Sequence, residues 1–220
     1  MPDWHHLKPP NNTVRLALAQ CDFISTHTPY GFPELWGATV NTQITILREP
    51  LSHLISNYDY ILEYPAYFGV VGKYLKKVGI SQYIINSAQV PVEKREVWWY
   101  DRMLNPNLPP VAVANRQTWF ICGADCSIER MTLKQALNRA VENLLTKIHI
   151  VGVVEAEDAL YQQLHAAYAF LPRTPRHDQA HRGRRTALTG EDRARLAGLL
   201  QADVLLHRIA GFVARCSSSG

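Results

Sequence analysis

The chain has 220 residues, 47% hydrophobic and 19% charged, with a formal net charge of +4. That length suffices for one domain with a real core. The small positive excess points to no nucleic-acid partner, and no apolar stretch is long enough to span a bilayer.

No basic-then-apolar leader pattern opens the sequence, so a soluble, cytoplasmic chain is expected. The four cysteines, Cys21, Cys122, Cys126 and Cys216, are too few and scattered for a disulfide scaffold. Cys122 and Cys126 lack a second ligand pair at zinc spacing, which predicts reduced thiols and no bound metal.

An irregular lead-in is expected over 1–20, polar and proline-bearing over 1–13, then a domain over 21–214 and a disordered tail at 215–220. Phe23 and Ile24 suggest a short strand ending at Thr26-His27-Thr28-Pro29-Tyr30-Gly31. His27 stands where the strand stops and a Pro/Gly turn begins. An imidazole there can take a proton from an attacking hydroxyl, and it can equally cap the turn.

Ile44, Ile46 and Leu47 form a short apolar run suited to a buried strand, whereas Leu51, Leu54, Ile55 and Tyr58 recur at helical spacing. The period changes at Arg48-Glu49-Pro50. Proline suits the first turn of a helix, so Arg48 or Glu49 falls at the N-cap of a helix over 50–62. A strand-turn-helix of this kind offers an anion the free N–H groups of the helix N-terminus. Arg48 and Ser56, two helical turns on, add a guanidinium fork and a hydroxyl able to grip one phosphate. The same spacing fits an ordinary βα turn with a surface arginine.

A region of mixed pattern runs from the turn at 63–67 to about residue 110. Trp98, Trp99 and Tyr100 lie there among Lys94, Arg95, Asp101 and Arg102, as a substrate-recognition surface or as loop packing. Asn105 to Pro110 is a loop. Thr132, with Gln135 completing a capping box, starts a helix whose apolar stripe is Leu133, Ala136, Leu137, Ala140, Val141, Leu144 and Leu145. A buried strand over 148–154 and a helix through Leu160, Leu164, Ala167 and Tyr168 follow. A basic run holds Arg173, Arg176, Arg182, Arg184 and Arg185, and Thr189 opens the last helix.

The segment Leu47-Arg48-Glu49-Pro50, with Ser56 and Tyr58, resembles the 3′-phosphate-binding motif of sulfotransferases that use 3′-phosphoadenosine 5′-phosphosulfate (PAPS). The likeness is to the branch with the heparan sulfate 2-O-sulfotransferases and many bacterial relatives. That motif reads L-R-D/E-P-x-x-R-x-x-S-x-Y, and here His53 replaces the second arginine. His27, Tyr30 and Gly31 agree with the family's G-H-x-x-Y/F, Thr26 replacing the glycine. Asn115, Gln117, Thr118 and Gly123 match N-x-Q-T-x-x-L/I-x-G. The strand with Val151, Gly152 and Glu155 is similar to F-x-V-G-L/V-x-E. Leu188, Thr189, Glu191, Asp203 and Leu206 match L-S/T-x-E…N-x-x-D-x-x-L-Y, His207 replacing the tyrosine.

The resemblance implies an α/β, P-loop-NTPase-like sulfotransferase fold, with a central parallel sheet flanked by helices. It implies PAPS as co-substrate, the 3′,5′-bisphosphate as product, and a carbohydrate or small-molecule hydroxyl as acceptor. His27 would be the general base, and Arg48 and Ser56 the 3′-phosphate ligands. The family's N-terminal strand-loop-helix unit, whose P-K-T/A-G/A-G/S-T-S/T loop holds the 5′-phosphosulfate, is missing. Lys8-Pro9-Pro10-Asn11-Asn12-Thr13 is a poor substitute, since its prolines withdraw N–H donors. An inactive relative that keeps only the 3′-phosphate half-site is the alternative. A P-loop kinase-like protein is disfavoured, because Gly-x-x-x-x-Gly-Lys-Ser/Thr does not occur.

Overall fold

The computed structural model describes residues 30–35, 37–64, 69–89, 115–126, 131–171 and 186–217, with residues 16, 20 and 174 singly. His27, the expected strand before it, the aromatic cluster at 98–102, the loop at 105–110 and the basic residues between 173 and 185 lie outside the described residues.

The described elements are α1 (Phe32–Leu35), β1 (Ile44–Leu47), α2 (Pro50–Glu63), α3 (Gly69–Gln89), α4 (Arg116–Cys122), α5 (Leu133–Thr146), β2 (Ile150–Val153), α6 (Glu157–Ala167), α7 (Gly190–Leu199) and α8 (Gln201–Ser217). A 3-10 turn, Val154–Ala156, joins β2 to α6. The class is mixed α/β: mostly helical, with one small sheet. β1 and β2 pair in parallel, Ile44 opposite Ile150 and Leu47 opposite Val153. Parallel strands need a crossover, and four helices fill the chain between these two among the described residues.

Local rules account for three of the helix starts. Thr132 caps α5 through a complete capping box: its hydroxyl accepts from Gln135 N–H at 3.3 Å, and Gln135 Oε1 accepts from Thr132 N–H at 2.8 Å. Thr189 and Asp192 do the same for α7. Pro50 occupies the first position of α2, as its fixed φ favours. The region of mixed pattern contains the long α3, which bends where Gly79 takes φ +73, a conformation side chains rarely tolerate.

Two apolar clusters form the core. One gathers Leu47, Trp119, Ile121, Ala136, Ala140, Leu144, Val151, Val153, Leu206 and Ala210, so that α4, α5 and α8 cover the strand pair. The other joins Tyr58 of α2 to Leu75, Ile80 and Ile84 of α3 and to Leu196 and Leu199 of α7. Gly152 lets α6 close on β2, since a Cβ there would lie 2.6 Å from both terminal carbons of Leu160.

Several expectations are corrected. The strand expected over 148–154 is confined to Ile150–Val153, and Glu155 falls in the 3-10 turn. The helix opened by Thr189 is two helices, α7 and α8, bent by 79° at Leu200. Leu145 leaves the apolar stripe of α5 and is 59% exposed, while Asn143 turns inward. Cys122 and Cys126 are not reduced thiols: both are fully buried and joined in a disulfide that closes the turn after α4. α8 runs to Ser217, past the expected start of the tail.

Candidate functional site

β1 ends at Leu47, and the chain turns through Arg48 and Glu49 into α2. This is the carboxyl edge of the parallel pair, where open α/β sheets collect ligands. The ladder stops at Leu47 opposite Val153, and the next residue is held by a side chain. Arg48 N–H donates to Gln117 Oε1 at 2.8 Å, and Gln117 Nε2 donates to the Arg48 carbonyl at 2.8 Å. One buried amide thus makes both bonds that a neighbouring strand would offer.

Glu49 is the N-cap of α2. Its carboxylate accepts from Leu51 N–H at 3.0 Å and from Ser52 N–H at 2.7 Å. The N–H groups expected to receive an anion are therefore already taken. Glu49 N–H donates to Glu155 Oε1 at 2.8 Å, and the other oxygen of Glu155 lies 2.9 Å from His207 Nε2. Burial opposes ionisation of Glu155, but the bonds from Glu49 N–H and His207 outweigh it and hold the carboxyl below its ordinary range. The turn carries one guanidinium against two carboxylates, both engaged by donors. Among the described residues, neither the Arg48 guanidinium nor the Ser56 hydroxyl has a hydrogen-bond or ion-pair partner. Both residues are half-buried, Ser56 on the second turn of α2. His53, at the position of the family's second arginine, lies 3.4 Å from Asn57.

Gln117 reaches Arg48 because α4 is pinned at both ends. A seven-residue helix leaves more than half of its backbone groups without a partner inside the helix. Asp203, buried in α8, accepts from Gln117 N–H at 3.1 Å, Thr118 N–H at 2.7 Å and the Thr118 hydroxyl at 2.7 Å. Asn115, at φ 54, returns the favour: its Oδ1 accepts from Ala202 and Asp203 N–H at 3.0 and 3.1 Å, and its Nδ2 donates to the Leu199 carbonyl at 2.9 Å. Each helix supplies the other's N-terminal cap. At the far end, Asn143 Nδ2 donates to the carbonyls of Ile121 and Cys122 at 2.8 and 3.0 Å. Burial pushes the Asp203 carboxyl up to about 6, against the pull of the bonds from Thr118 and Gln117.

Of the three expected site residues, the structure puts Arg48 and Ser56 on one strand-turn-helix, while His27 is outside the described residues. Gln117, Glu155, Asp203 and His207 belong to the matched motifs, but their spacing gave no sign that they meet at Arg48. No cluster of three His, Cys, Asp or Glu side chains suited to a metal occurs among the described residues. A shallow depression of about 500 Å³ runs along α5, lined by Gln135, Asn138, Arg139, Glu142, Asn143 and Lys147, none of which belongs to the Arg48 turn. No protein-family model, no curated protein and no solved structure matches the chain.

Proposed function

We propose that the protein is a PAPS-dependent sulfotransferase with a P-loop-NTPase-like fold, acting on a carbohydrate or small-molecule hydroxyl. Arg48 and Ser56 grip the 3′-phosphate of the donor, and His27 serves as general base. The acceptor oxygen attacks sulfur, the bond from sulfur to the 5′-phosphate oxygen breaks, the hydroxyl proton passes to the base, and adenosine 3′,5′-bisphosphate leaves.

One observation carries this reading. Four separated stretches that resemble family motifs, around residues 48, 117, 155 and 203–207, are joined by hydrogen bonds around the Arg48 turn. Chance matches would have no reason to converge. The unpartnered guanidinium and hydroxyl on that turn support an anion there.

Calorimetry with adenosine 3′,5′-bisphosphate tests the assignment. Arg48→Ala is expected to weaken binding by about 10- to 100-fold, the loss of a charge-assisted pair. Unchanged affinity would overturn the 3′-phosphate site. Transfer of labelled sulfate from PAPS to a panel of sugars and alcohols then tests turnover, with His27→Ala expected to abolish it. A second reading, a nucleotide-binding relative without turnover, is favoured by departures inside the matched motifs, Thr26 for the glycine before His27 and His53 for the second arginine. Binding with no transfer to any acceptor supports it.

A further inference from the structure

We infer that Gln117 is a positioning residue for the anion grip: its side-chain amide locks the backbone of Arg48 so that the guanidinium is presented before a ligand arrives. This inference rests on reading Arg48 as the 3′-phosphate ligand.

The sheet cannot hold Arg48 by itself. β1 is four residues long, its ladder ends at Leu47, and opposite it the chain leaves β2 for a 3-10 turn at Val154. Residue 48 lies between the last rung and the N-cap of α2, where its backbone polar groups would be free to wander. Gln117 removes that freedom with two planar, antiparallel bonds of 2.8 Å, to the N–H and to the carbonyl of the same residue. Fixing both groups fixes φ and ψ on either side of the Arg48 Cα, and hence the direction of its side chain. The clamp is rigid: Gln117 is 8% exposed and its own N–H is held by buried Asp203. A glutamine used only to fill space would not need both ends of its amide matched to one backbone residue.

Without the clamp, the backbone of one residue must be ordered during binding. That costs about tenfold in affinity. The test is a double-mutant cycle on adenosine 3′,5′-bisphosphate binding, with adenosine 5′-monophosphate as the ligand lacking the 3′-phosphate. Gln117→Leu is expected to weaken the bisphosphate about tenfold and to leave the monophosphate unchanged, while Arg48→Ala/Gln117→Leu binds no worse than Arg48→Ala. Gln117→Met keeps the length of the side chain, carries no charge and makes neither bond to Arg48. It is expected to weaken the bisphosphate as Gln117→Leu does, and it serves as the test variant if the leucine protein does not fold. Equal losses for both nucleotides, a fully additive double variant, or unchanged bisphosphate affinity in the Gln117 variants with Arg48→Ala still weak would overturn the positioning role and leave the phosphate site standing. Unchanged binding in Arg48→Ala would overturn both.

Discussion

Asp203→Asn separates two opposing effects at the joint between α4 and α8. The wild-type carboxylate accepts three hydrogen bonds, yet burial raises it from 3.8 to about 6. As the pH falls, the folded state takes up this proton before the unfolded chain does. Between about pH 6 and 4 it binds more protons, so this group makes the protein more stable as the pH drops through that window and less stable as it rises. At about 1.4 kcal/mol per pH unit the change is about 3 kcal/mol. Asparagine does not titrate, and its amide N–H faces the N–H of Gln117, leaving one buried donor unsatisfied at about 1–3 kcal/mol. Urea unfolding of both proteins at pH 4, 5, 6 and 7, followed by tryptophan fluorescence, subtracts every other titrating group. Asp203→Asn is expected to be less stable at pH 4 and 5, with the gap widening by about 3 kcal/mol between pH 7 and pH 4. A gap constant to about 0.5 kcal/mol, or one that narrows on acidification, would refute the reasoning and show that the hydrogen bonds outweigh burial.

Three further outcomes follow from the packing. Gly152→Ala drives a methyl into Leu160 and is expected to cost about 1–3 kcal/mol in the same unfolding assay. Ser81 donates to Asp192 at 2.7 Å, and that bond, before any other, holds the carboxyl below its ordinary range. Ser81→Ala should therefore cost about 1 kcal/mol at pH 7, a difference that shrinks below about pH 4 as the carboxyl protonates. The disulfide closes a very short loop, so Cys122→Ala/Cys126→Ala is expected to lose about 2 kcal/mol. Mass spectrometry should find Cys122 and Cys126 protected from alkylating agents in denaturant until a reductant is added.

Arg48, Glu49 and Pro50 were legible from the sequence because the signals are local. A change of hydrophobic period and a proline suited only to a first turn place the end of β1 and the start of α2 without reference to the rest of the chain. Thr132 with Gln135 was legible for the same reason: both partners of the capping box lie within one helical turn. The broken helix at Leu200 was not, since no proline marks it. Its second half is capped by Asn115, far away in sequence. The disulfide escaped because a spacing of four states no distance between sulfurs until Gly123 and the following turn bring the chain back.

What the sequence determined by itself is the locally signalled boundaries: the end of β1, the start of α2 at Pro50 and the capped start of α5. What only the tertiary structure decided is which polar groups satisfy one another. Glu49 occupies the helix N-terminus that composition alone would leave open. Gln117 replaces a missing rung at Arg48, and Asp203 and Asn115 cap each other's helices. These bonds span 69 to 88 residues of chain. Buried polar groups must find partners, and at such separations the packing of α4 against α5 and α8 chooses them, because no periodicity in the chain carries that information.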